Sequence, residues 1–129
     1  MEEAFLAIAL RHIPLTDLVG QRVQWGGREP GSAVALYVIG APPDWTLNGP
    51  SGLVSARVQA DCWGGTYLAS KAVADALQDA GPVIGQVEAG IKFKGCVRLD
   101  RQGPEGLGES PNRLYRTRID LRVTFSPAI

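Results

Sequence analysis

The chain has 129 residues, about one domain by length and enough for a real core. Its apolar fraction of 45% and charged fraction of 20% are those of an ordinary globular domain, and thirteen basic residues balance thirteen acidic ones, which removes the simplest electrostatic case for nucleic-acid binding. Two cysteines make no disulfide framework, and the start M-E-E-A-F-L-A-I-A-L-R-H-I is acidic where a signal peptide is basic and too short in its apolar run to span a bilayer, so cytosolic synthesis without a membrane partner is expected.

In chain order, residues 2–13 read as a first helix. Phe5, Ile8, Ala9 and His12 recur at helical spacing, Leu6 and Ile13 widen the apolar side, and Glu2 and Glu3 suit the positive end of the macrodipole. Pro14 stops the helix, and a short turn follows with Thr16 as a cap and Gly20 as a stop. The run A-V-A-L-Y-V-I at 33–39 reads as a buried strand, and 41–52, dense in Pro, Gly and Asn, as a long loop. From Leu53 to Trp63 the pattern alternates, with Val54, Ala56, Val58, Ala60 and Cys62 on one side and Ser55, Arg57, Gln59 and Asp61 on the other. Thr66 caps a second helix over 66–80 that Gly81-Pro82 ends, its apolar stripe being Ala69, Ala72, Val73, Ala76, Leu77 and Ala80.

Residues 91–99 alternate Ile91, Phe93, Val97 and Leu99 against Lys92, Lys94 and Arg98. Residues 114–125 set Tyr115, Thr117, Ile119, Leu121, Val123 and Phe125 against Arg116, Arg118, Asp120 and Arg122. Between them R-Q-G-P-E-G-L-G-E-S-P-N at 101–112 reads as a mobile loop, too long for a tight hairpin turn. With no repeat, low-complexity tract or linker, the expectation is one α+β domain over 1–129, a mostly antiparallel β-sheet with two α-helices packed on one face.

The chemistry is sparse. Cys62 shares the inward side of its strand with Val58 and Ala60 and reads as a small buried hydrophobe, whereas Cys96 falls with the polar residues of its strand as a lone, partly exposed thiol. Gly64-Gly65 open a helix but lack the G-K-[ST] of a phosphate loop, and G-P-E-G-L-G at 103–108 lacks dinucleotide spacing. One histidine and two cysteines on separate elements make no metal site, and Asp61 and Asp120 lie beside arginines, an arrangement for ion pairs rather than acid–base work. No catalytic residue, cofactor or metal is therefore expected. What stands out is charge: residues 1–90 hold five basic and nine acidic side chains, residues 91–129 eight and four. Arg116, Arg118 and Arg122, joined by Arg57 if the two strands are neighbours, would give the sheet a basic outer surface, with Asp61, Asp120 and Gln59 helping to match a partner's polar groups.

The segment T-L-N-G-P-S-G-L-V-S-A-R-V-Q-A-D-C-W-G-G-T-Y-L-A-S-K-A-V-A-D-A-L at 46–77 resembles the central signature of tail completion or tail terminator proteins of long-tailed phages and gene transfer agents. L-T-D-L-V-G-Q-R at 15–22 and L-Y-R-T-R-I-D-L-R-V-T-F at 114–125 are similar to the opening and closing elements of that family, and 82–112 matches least. The resemblance implies a structural virion protein of the head–tail junction, made in the host cytoplasm. It would be a homo-oligomer, a hexameric ring that closes the tail tube and joins it to the head–tail connector or stopper while DNA passes without sequence specificity. On this reading Arg57, Gln59, Asp61, Arg116, Arg118, Asp120 and Arg122 are interface or lumen residues, and Trp45, Leu47, Asn48, Glu105, Leu107 and Glu109 sit on loops that reach adjoining rings. Two alternatives remain: a monomeric, sequence-independent nucleic-acid binder using the arginine face, and a small thiol enzyme built on Cys62 or Cys96.

Overall fold

Pro14 decides how the chain begins. In the computed structural model, which describes residues 2–27, 31–39, 46–48, 53–82, 85–108 and 113–127, helix α1 spans Glu2–Leu10. It ends four residues before Pro14, whose ring would collide with the Leu10 carbonyl and has no N–H to offer it. Instead of the expected turn, Ile13–Val19 forms a second helix, α2, with the proline in its first turn, where a missing N–H costs nothing. The helix expected over 2–13 is thus shorter, and the expected turn is a helix of its own. His12 sits in extended backbone at the N-cap position of α2, and Thr16 is inside α2, its hydroxyl 3.3 Å from the Ile13 carbonyl, not at a cap. Gly20 closes α2 with φ 60°, as its place in the sequence suggests.

Strand β1 (Val23–Trp25) pairs in parallel with β2 (Ala33–Val38). All the other pairings are antiparallel: β3 (Thr46–Asn48) and β2 both lie against β4 (Leu53–Gly64), and the path continues through β7 (Leu114–Pro127) and β6 (Ile91–Leu107) to β5 (Val87–Glu88). Helix α3 (Tyr67–Ala80) connects β4 to β5, with Thr66 Oγ1 accepting from the Ala69 N–H as the expected cap. The fold is α+β with a mostly antiparallel sheet and, among the described residues, three helices, one more than expected.

The largest departure from the periodicity is β6. Register slips against β7 fall between Phe93 and Gly95, Arg98 and Asp100, and Gln102 and Glu105. Each inserts an extra residue, and an extra residue sends the following side chains to the opposite face. Phe93 is buried, but Cys96 packs against the core while Val97 and Leu99, expected inward, are 59% and 43% exposed. The strand also continues through what reads as a mobile loop, pairing as far as Leu107 with Leu114, because Gly103, at φ +98°, accommodates a kink where a Cβ would lie 2.6 Å from the Arg116 carbonyl. In the other expected loop Thr46–Asn48 is a strand; Trp45 and the rest of 41–52 lie outside the described residues, as does Glu109.

The core forms where the inward sides of β4 (Ala56, Val58, Ala60, Cys62) and β7 (Ile119, Leu121, Val123, Phe125) meet the helices. Small side chains let α3 lie close: a Cβ on Gly64 would stand 2.5 Å from the Ser70 backbone nitrogen. Ser70, which is outside the stripe read from the sequence, is buried and donates to the Cys62 carbonyl at 2.8 Å, with the Thr117 hydroxyl 3.0 Å away. Helix α1 reaches both margins of the sheet, with Trp25 Nε1 donating to the Glu2 carbonyl at one end and Arg11 paired with Glu88 at 2.5 Å at the other.

Candidate interface on the outer face of the sheet

Burial of the even-numbered residues of β4 forces its odd-numbered ones to the opposite face, and the same logic inverted holds for β7. Pairing then sets Ser55 against Thr124, Arg57 against Arg122, Gln59 against Asp120, Asp61 against Arg118 and Trp63 against Arg116. All seven residues singled out on these two strands therefore share one surface. The slipped register of β6 extends that surface with Val97 opposite Arg122, Asp100 opposite Asp120, Gln102 opposite Arg118 and Glu105 opposite Arg116.

Specific contacts tie the surface together. Arg118 Nε donates to Asp61 Oδ1 at 3.1 Å, and Gln59 Nε2 donates to the same oxygen at 3.3 Å, so this carboxylate, only 5% exposed, is well supplied with donors. Arg116 pairs with Glu105 and its guanidinium lies 5.5 Å from the centre of the Trp63 ring, a cation–π stack. Arg57 and Asp120 approach to 3.9 Å, and Gln102 donates to Asp100 at 3.1 Å. Ser55 and Thr124 share a hydroxyl–hydroxyl bond of 3.1 Å.

The outer face is consequently not the basic surface that β4 and β7 suggest on their own. Four arginines (57, 116, 118, 122) meet four carboxylates (Asp61, Asp100, Glu105, Asp120), two of them brought in by β6. The physical reason is the bulge after Arg98, which turns Asp100 outward, and the continuation of β6 to Glu105. A checkerboard of this kind, with Lys92 opposite Ser126 adding one further positive charge, offsets most of the arginine charge and is not the uniformly basic face that favours sequence-independent phosphate binding.

The residues expected on projecting loops are otherwise placed. Leu47 and Asn48 are in β3, paired with Val54 and Leu53. Glu105 is held by Arg116, and Leu107 is half-buried at the end of β6. The sequence gives no hint of the apolar pole at the end of the sheet where β6 finishes: Tyr67 and Leu68, at the start of α3, are 52% and 72% exposed, and Tyr67 meets Tyr115 edge-on at 6.3 Å.

No family model matches the chain. No curated protein matches it. Among solved structures, a chain of the virion of a native gene transfer agent particle matches with a TM-score of 0.62 and 17% identity, over 96% of this chain and 96% of that one. The two share a fold.

Both thiols sit on the helix side of the sheet. Burial, reinforced by Asp61 and opposed by Arg101, raises Cys62 far above the ordinary thiol range, and burial alone raises Cys96 to about 11. A thiol so disposed is protonated at neutral pH and a poor nucleophile. Beside Cys96 a cleft of about 330 Å³ opens between the end of α3 and β6, lined by Leu77, Gln78, Asp79, Pro82 and Arg98. Among the described residues no cluster of His, Cys, Asp and Glu could hold a metal ion, and no helix is long and apolar enough to cross a membrane.

Proposed function

We propose that this chain is a structural protein of a virion or gene transfer agent particle, a homo-hexameric ring that terminates the tail tube and joins it to the head–tail connector while DNA passes through the lumen. The observation that carries this reading is the likeness of fold, end to end in both chains, to a chain of the virion of a native gene transfer agent particle. The sequence resemblance of residues 15–22, 46–77 and 114–125 to tail terminators supports the finer placement at the end of the tube. Within this reading residues 1–129 act as one domain, and the outer face, with Arg57, Gln59, Asp61, Arg116, Arg118, Asp120 and Arg122, lines the lumen or an interface. A surface of mixed charge suits both places, since it recognises a protein partner by pattern and grips a passing polyanion less than an all-basic face would. The two ends of the sheet contact adjoining rings, one through Leu47 and Asn48 beside the start of β4 and the other through Glu105 and Leu107 beside the start of β7, with Trp45 and Glu109 close to them in sequence.

Purified protein mixed with bare tail tubes provides the test. Electron microscopy should show one end of each tube closed by an added ring, and tubes whose two ends stay bare at saturating protein would sink the reading.

A further inference from the structure

The outer face holds an arrangement that its role in a single chain does not explain. Asp100 and Asp120 are direct cross-strand partners, and so are Arg57 and Arg122. Like charges placed directly opposite one another on a sheet are destabilising. The register that sets them there is fixed by the buried side of the strands, but the identity of outward residues is not. The two pairs adjoin on β7 through Asp120 and Arg122, so an acidic spot and a basic spot lie side by side. Compensation within the chain is weak. Arg57 and Asp120 are 3.9 Å apart, and each keeps a buried polar atom, Arg57 Nε and Asp120 Oδ1, without a hydrogen-bond partner among the described residues. Arg122 makes no ion pair or hydrogen bond among those residues. Val97, opposite Arg122, supplies exposed apolar surface at the border of the patch.

We propose that this patch is a self-complementary contact, at which two copies of the chain meet face to face about a two-fold axis, the basic pair of each lying on the acidic pair of the other. Such an isologous contact answers both like-charge pairs at once. The patch carries no net charge, and a second copy presents the matching pattern by construction, whereas a phosphate backbone would satisfy only its basic half. Closing a ring requires a heterologous, head-to-tail contact, so the pair is a state of the free protein before docking, and it covers residues that the ring reading assigns to lumen or interface.

Arg122→Glu and Asp100→Arg are the informative variants. Each removes a like-charge pair within the chain, so monomer stability should hold or rise, while each leaves the patch with three charges of one sign against one of the other and repulsive to its own copy. Sedimentation at moderate salt should show a wild-type dimer, at least a tenfold weaker association for either variant alone, and dimer restored in an equimolar mixture of the two. A wild-type protein that stays monomeric at high concentration overturns the proposal, as do variants that associate like wild type. Loss of DNA retention by Arg122→Glu with the mass unchanged would assign the patch to phosphate and overturn it equally. Tube capping is scored separately: a protein that dimerises through the patch yet ignores tube ends would refute the ring reading and leave the pair intact.

Discussion

Asp61 is the most buried charge on the outer face, and its environment makes Arg118 a structural as well as a surface residue. Arg118→Ala leaves the carboxylate with Gln59 as its one remaining side-chain donor among the described residues. We expect a loss of about 1–3 kcal/mol, read as a lower urea midpoint with an unchanged slope. A second buried contact is apolar in its surroundings. Because the Ser70 hydroxyl donates to the Cys62 carbonyl, the hydrogen between Ser70 and Thr117 comes from Thr117. Ser70→Ala therefore strands a buried hydroxyl and should likewise cost about 1–3 kcal/mol, whereas the double change Ser70→Ala with Thr117→Val should recover much of it. The thiols give a pH signature. Folding raises both above the unfolded value of 9.0, so their contribution to stability is complete below that pH and is lost as pH climbs, for Cys96 through about 11. Urea midpoints should fall between pH 8 and pH 10.5, and a Cys96→Ala variant should show less of that fall. Thiol labelling of the native protein at neutral pH should leave Cys62 unmodified.

At the level of elements, β4, α3 and β7 are legible in the sequence because their periods run between clear ends: Thr66 and Gly81 bound the helix, and the alternation of β7 holds from Arg116 to Phe125. Where a local signal carries two meanings, the reading fails. Pro14 reads as a stop but serves as the first turn of α2. Gly103 and Pro104 read as loop, yet they absorb a kink within a strand whose partner has its own strong pattern. The charged residues of β4 and β7 are legible as one face, but not their neutralisation by Asp100 and Glu105, since bulge positions in β6 are not encoded in its hydrophobic pattern. Ser70 escaped for a related reason: a hydroxyl on a helix reads as solvent-facing unless its acceptor is known. The strand-to-helix joint makes a test of packing at this scale. Gly64→Ala places a methyl 2.5 Å from the Ser70 nitrogen, which must push α3 off the sheet. We expect about 1–3 kcal/mol of destabilisation, whereas Gly65→Ala, with nothing within 4 Å, should be close to neutral in urea denaturation.

For the whole molecule, the balance between a neutral total and a locally patterned face governs association. Self-association through alternating charges should weaken as salt rises, because the pairs on the face are partly exposed and screened over about 10 Å at 0.1 M ionic strength. Sedimentation across a salt series should show this, and an association indifferent to salt would point to the apolar pole at Tyr67 and Leu68 instead. The order of strands adds a constraint in time. β7 lies between β4 and β6, so before it is made the sheet exists as two unconnected halves, β1–β2–β4 on one side and β6–β5 on the other. Half of the charged pattern belongs to β7 itself. A copy in which β7 is not yet paired therefore offers only half of the recognition surface, split between two separate parts of the sheet, and an assembly built through that surface needs subunits in which β7 is already in place.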